Sequence, residues 1–149
     1  MLSKYELFSS SVACLYRDIQ KIERTEMAKF GLKGPHAQCL LALSRYPEGI
    51  TAARLCEVCD KDKAAISRMM AELEEKGMVS RGDEKGNRYR MQLRLTSLGE
   101  EAADHVEQRA KLAVEEAGSG MTEEQRATLY AVLDLIAGNL QTICAEGLR

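Results

Sequence analysis

Apolar residues recur along this 149-residue chain with two different periods, and the change between them marks its organisation. Phe8, Val12, Leu15, Ile19 and Ile22 are spaced four, three, four and three residues apart, a near-heptad seam. That spacing predicts one long helix over about residues 4–30. Gly31, Gly34 and Pro35 break it. Pro35 suits the first turn of a second helix, which reaches about Tyr46 and carries Leu40, Leu41 and Leu43. Pro47-Glu48-Gly49 forms a turn. Thr51 is set to cap a short third helix through Val58, with Leu55 and Val58 facing inward. After Asp60–Asp62, Ile66, Met70 and Leu73 share one face of a fourth helix. Lys76-Gly77 supplies its stop: a cation in the last turn, then the residue that tolerates a left-handed cap.

Then the period drops to two. Beyond the turn-rich stretch from Gly82 to Asn87, Met91, Leu93 and Leu95 point one way while Arg90, Gln92 and Arg94 point the other. The helical period returns with Ser97-x-x-Glu100, a capping box for a fifth helix reaching about Glu116. Gly118-Ser119-Gly120 interrupts it. Thr122-x-x-Gln125 opens a sixth helix with Leu129, Leu133, Ile136, Leu140 and Ile143 on one face. The pattern predicts a mainly α fold with a small β-hairpin, namely a winged helix-turn-helix flanked by long dimerisation helices. The expected organisation is a single domain over residues 1–149, with the reading region at 33–96 and the helical dimerisation region at 1–32 and 97–149. A chain this size has few layers in which to bury so many apolar stripes, so pairing of two copies is the expected solution.

Composition adds bounds. With 45% apolar and 30% charged residues this is an ordinary soluble composition, and no uninterrupted apolar run approaches a membrane span of roughly 20 residues. The opening MLSKYELFSSSV lacks the apolar core of a signal peptide, so a cytoplasmic location and no membrane partner are expected. Five cysteines in such a chain do not make a disulfide framework. The net charge of −2 is unevenly divided: +1 over residues 1–60, +3 over 61–94 and −6 over 95–149. The positive excess sits on the helix and hairpin, where local charge decides phosphate binding.

If Ile66, Met70 and Leu73 face the core, the opposite face of the fourth helix offers Lys61, Lys63, Ala64, Ser67 and Arg68. A helix fits the major groove, where each base pair has its own donor and acceptor pattern. Ala64 and Ser67 permit close approach to base edges. Lys61, Lys63 and Arg68 can meet phosphates, and Arg68 can also address guanine with two hydrogen bonds. The hairpin would set Lys85, Arg88 and Arg90 along the flanking backbone or in the minor groove.

The order of elements resembles the MarR/SlyA family of bacterial transcription regulators. The resemblance rests on Ile66-Ser67-Arg68, on Leu73-Glu74-Glu75-Lys76-Gly77-Met78-Val79 and on Leu95-Thr96-x-x-Gly99, in order and at similar spacing. It departs at the hairpin tip, where Asn87-Arg88-Tyr89 stands in place of the common Asp-Arg-Arg, so that contact carries over for Arg88 alone. The resemblance implies a homodimeric repressor of palindromic double-stranded operators, relieved by a small aromatic effector near Tyr16, Arg17 and His36.

Two other readings stay open. One is a thiol-based redox regulator of the same fold, involving Cys14, Cys56 or Cys59. The other is a winged helix used only for protein contacts, against which the local positive charge argues. Cys56-x-x-Cys59 lacks the second pair that a zinc site needs, so no metal or other cofactor is expected. Core burial is the expectation for Cys39, Cys59 and Cys144. An enzyme is not expected, because there is no nucleophile–base–acid grouping and no glycine-rich phosphate loop.

Overall fold

A computed structural model describes residues 1–82 and 92–148. The elements run α1 (Lys4–Ala28), α2 (His36–Ser44), α3 (Ala52–Cys59), α4 (Lys63–Glu75), β1 (Val79–Gly82), β2 (Gln92–Leu95), α5 (Ser97–Ala117) and α6 (Glu123–Glu146). Local chemistry accounts for most boundaries. Ser3 and Glu6 make a reciprocal capping box at the start of α1, and Thr122 and Gln125 make another at α6. The Thr51 and Asp62 side chains accept the backbone N–H groups of Arg54 and Ala65, starting α3 and α4. Pro35 sits at the N-cap of α2 rather than inside it and gives no side-chain cap.

The start of α5 differs from the sequence expectation. Its cap is Thr96, not Ser97: Thr96 Oγ1 accepts the Gly99 N–H at 3.2 Å. The same hydroxyl donates to the Gly77 carbonyl at 2.6 Å, and the Thr96 N–H donates to the Met78 carbonyl at 2.9 Å. Gly77 itself is left-handed (φ 71°), as the stop of α4 requires. Gly99 lies against this corner so closely that a Cβ there would run into the Met78 carbonyl oxygen. The Lys-Gly-Met and Leu-Thr-x-x-Gly segments, nearly twenty residues apart in sequence, are thus two halves of one joint that fixes the end of α4 to the start of α5.

The chain divides into two units, residues 1–110 and 111–149. In the first, the core is built from α2, α3, α4 and the hairpin, with Leu40, Leu43, Leu55, Ile66, Met70, Leu73 and Leu93 fully buried. β1 and β2 pair antiparallel with Val79 opposite Leu95 and Arg81 opposite Leu93. Ile50 adds a bridge to Leu93, with both backbone hydrogen bonds made (3.1 and 2.8 Å). From α1 only Glu26 and Met27 are buried; α5 contributes Gly99, Ala102, Ala103 and Val106.

The second unit holds the end of α5 and all of α6. No residue of α6 is buried. Cys144 is exposed, against the expectation of burial, because the whole helix is uncovered. By length and composition α6 is apolar enough to cross a membrane, with a mean hydropathy of 1.3 over its best window, although no uninterrupted apolar run is that long. Asp134 interrupts its apolar course.

Candidate nucleic-acid interface

Helix α4 is gripped on one side and open on the other. Ile66, Met70 and Leu73 are buried as their spacing predicts, so the helix cannot rotate without exposing them. Lys63, Ala64, Ser67 and Arg68 are exposed on the opposite side. They form a short surface of two cations around two small side chains. The other flank of α4 faces polar side chains of neighbouring elements. Arg81 Nε of β1 lies 2.9 Å from Glu74 Oε2, and His36 Nε2 lies 2.7 Å from Glu72 Oε2.

Lys61 is placed differently from its expected neighbours. It is half-buried and lines a hollow of about 140 Å³ together with Tyr16, Gln20, Glu23, Arg24, Gly34, Pro35 and Gln38. Burial pushes the Glu23 carboxyl up from its usual range, and the Lys61 ammonium offsets part of that. Lys61 therefore links the α3–α4 turn to α1 instead of extending the exposed face of α4.

Lys85, Arg88 and Arg90 lie outside the described residues. Within the described part of the hairpin, Arg94 Nε donates to the Glu48 carbonyl at 2.8 Å, bracing the Pro47–Gly49 turn. A second hollow of about 500 Å³ opens between α3, α4 and the hairpin, floored by Ile66, Met70 and Leu93 and bordered by Cys56, Lys63, Ser67 and Arg81.

The three candidate effector residues are not brought together. Tyr16 lines the smaller hollow; Arg17 is exposed and is not part of its wall. His36, at the start of α2, is 2% exposed. Its Nδ1 accepts the Lys33 N–H at 3.0 Å, so the ring proton sits on Nε2, facing Glu72 but off the line of a good hydrogen bond. Gly34 allows α2 to begin against α1, since a Cβ there would press on Arg24 Cγ at 2.9 Å.

Sequence reasoning missed the carboxylate that joins α1 to α5. Glu26 is buried, accepts from Lys29 Nζ at 2.8 Å and Arg109 Nε at 3.1 Å, and meets His105 Nε2 at 2.8 Å. Phe30 packs edge-on to the His105 ring, centroids 5.2 Å apart. The Lys29 ammonium, then His105 and Arg109, hold the Glu26 carboxyl down to about 2 despite its burial. Its position on the inward side of α1 was the only signal, and the apolar seam concealed it. Among the described residues, no group of three or more His, Cys, Asp or Glu side chains is placed to hold a metal ion.

Residues 30–88 match the sequence profile of the MarR family. A protein proposed as the transcriptional regulator of the hcr operon in Thauera aromatica is 26% identical over 129 residues, covering 87% of this chain and 75% of that one. Among solved structures, a MarR transcriptional regulator from Methanosarcina mazei superposes with a TM-score of 0.81 at 22% identity, over 95% of this chain and 94% of that one. A candidate MarR-family regulator from Listeria monocytogenes, solved with a 26mer DNA, superposes with a TM-score of 0.78 at 18% identity, over 100% and 99%. The matched profile covers α2, α3, α4 and β1, the elements that hold the outward face of α4, and the shared fold extends over nearly the whole chain. Residues 30–88 thus carry a MarR-family segment, and nearly the whole chain shares the winged-helix fold of solved MarR-family regulators.

Proposed function

We propose that the chain works in the cytoplasm as a homodimeric repressor of palindromic operators, released from DNA by a small aromatic effector. The observation that carries the DNA-reading part is the outward face of α4, where Lys63 and Arg68 flank the small Ala64 and Ser67 on a helix locked in rotation by its buried side. Such a face can enter the major groove with its small residues against base edges and its cations on phosphate or guanine. Lys85, Arg88 and Arg90 supply the flanking contacts in this reading, and Lys61 contributes field more than contact. The Listeria relative was solved on DNA, which supports the same use of the fold here.

The exposed apolar seams of α1 and α6 support pairing of two copies through residues 1–32 and 97–149, leaving 33–96 to read DNA. Two-fold pairing implies half-sites about 10 base pairs apart. For the effector, the hollow beside Tyr16 is the favoured seat. It joins α1 to the α3–α4 turn through Glu23 and Lys61, so a ligand there acts on both the pairing helix and the reading head. Arg17 and His36 then act from its surroundings.

Fluorescence anisotropy with labelled DNA from the chain's own upstream region tests the reading. The expected result is salt-sensitive binding that unlabelled specific DNA displaces far better than random DNA. Equal displacement by both, or no binding at low salt, would overturn it.

A further inference from the structure

The hollow beside Tyr16 and helix α4 are touched by the same short piece of chain. Gly34 and Pro35 stand in the wall of the hollow. The residues that flank them reach α4: Lys33 Nζ lies 3.5 Å from Glu72 Oε1, and His36 Nε2 lies 2.7 Å from Glu72 Oε2. The His36 N–H closes this turn on the Lys33 carbonyl at 3.1 Å. The middle of the turn is packed tightly as well. A Cβ on Gly34 would stand 2.9 Å from Arg24 Cγ and 3.5 Å from the Arg24 backbone nitrogen of α1. A turn this short, held at both ends and pressed on α1, cannot shift in the middle without moving Lys33 and His36.

His36 is the end that is poised to respond. Its ring is buried, and Nδ1 accepts the Lys33 N–H at 3.0 Å, which leaves Nε2 as the donor. That donor is aimed off the line to Glu72. Among the described residues it is the one buried side-chain nitrogen or oxygen without a hydrogen bond. An unsatisfied buried donor is costly, and here the acceptor that would satisfy it is already at contact distance. Reorienting the ring against Glu72 is enough to make the bond. Leu73, next to Glu72, is fully buried, so a pull on Glu72 acts on a helix seated by its core side.

We propose that His36 is a positioning residue that carries the state of this hollow to α4 through Glu72. In the arrangement seen, the ring withholds its hydrogen bond from Glu72. A body pressed against Gly34 and Pro35 displaces the turn, the ring moves with it, and the bond is completed. The turn and α4 thus have two arrangements, and occupation of the hollow favours one of them. Because the core side of α4 is gripped, Lys63, Ser67 and Arg68 on its outer side change their seating together. That an effector is what fills the hollow rests on the function proposed above; the coupling between turn and helix does not.

The first readout needs neither DNA nor effector. Gly34→Ala stands in for a body in the hollow, because its methyl forces the turn to shift. Amide hydrogen exchange over residues 63–75 of the full chain is followed by mass spectrometry. Gly34→Ala alone should alter exchange in α4 about fivefold, the lower end of the usual coupling between two sites. Glu72→Met removes the acceptor at a half-exposed position and keeps a good helix former. In that background the response should shrink to less than about twofold. Ring-nitrogen NMR should find the His36 proton on Nε2. His36→Gln, which keeps an N–H toward Glu72, should preserve the coupling. His36→Asn, which serves Lys33 but stops short of Glu72, should abolish it. An equal response with and without the Glu72 carboxylate, no response of α4 to Gly34→Ala, or a His36 proton on Nδ1 would each overturn the coupling. The Glu72 arm decides the matter if the buried His36 variants fold poorly. Benzoate probes the effector separately: if α4 responds to Gly34→Ala through Glu72 but not to benzoate, the effector reading fails and the coupling stands. A chain that shows the coupling but binds no operator counts against the DNA reading alone.

Discussion

Helix α4 and the two end helices carry the same kind of apolar spacing and reach opposite outcomes. Ile66, Met70 and Leu73 are 1%, 1% and 0% exposed, whereas Leu15, Ile19 and Leu133 are 65%, 53% and 50% exposed. The spacing alone makes each of them a helix with an apolar stripe. What separates them is whether the chain contains something to cover the stripe. For α4 it does, in α2, α3 and the hairpin. For most of α1 and all of α6, this chain by itself does not. A period thus predicts a face, and only tertiary partners decide whether that face is core or interface.

The comparison breaks first at the core side. Leu73→Ala removes a side chain with no exposed surface and is expected to cost about 2–5 kcal/mol, read by urea denaturation of the full chain. A change below ~1 kcal/mol would mean that α4 is not gripped as described. At the open side, Leu15→Glu combined with Leu133→Glu sets two carboxylates into the stripes proposed to pair. Sedimentation should find monomers, and operator affinity should fall about 100-fold or more as two linked half-site contacts become one. A variant that stays dimeric with full affinity would show that these stripes are covered by something else.

A smaller effect separates the two faces of α4 itself. Arg68→Ala removes an exposed cation and leaves the core alone, so stability should move by less than ~0.5 kcal/mol. Affinity for the operator should fall about tenfold, and specificity should relax if Arg68 reads a base instead of a phosphate. Loss of stability without loss of affinity would assign Arg68 to the fold.

Much of this was legible because the signals are local. Thr51, Asp62, Thr122 and Gly77 act within a turn of where they sit, and the buried and exposed faces of α4 follow from one period. The family motifs carried the reading head, and the structure adds why they travel together: Thr96 and Gly99 close on Gly77 and Met78. The sequence was less informative where partners come from a distance. Lys61 sits among charged residues in sequence, and only the approach of Glu23 turns it inward. Ser97 reads as a cap because a Glu stands three residues after it, but the hydroxyl with two backbone partners is that of Thr96. Cys144 follows the opposite rule: an apolar position on an uncovered helix is exposed whatever its preference.

The last effect lies where the end of α1 meets α5. Of α1, only Glu26 and Met27 are buried, and Glu26 ties the end of α1 to α5 through His105 and Arg109. Its carboxyl is held at about 2 in the folded chain against an ordinary 4.5. A carboxyl lowered by folding adds stability that is complete above its unfolded value and is lost as pH falls toward the folded one. The contribution is therefore present at neutral pH and fades between about 4.5 and 2. Glu26→Gln keeps the shape and removes the charge, so its melting temperature should fall below that of the parent chain at pH 6 and approach it by pH 3. A gap of constant size across that range would mean that Glu26 matters for packing alone, and that the join of α1 and α5 is held by the apolar contacts of Met27 rather than by charge.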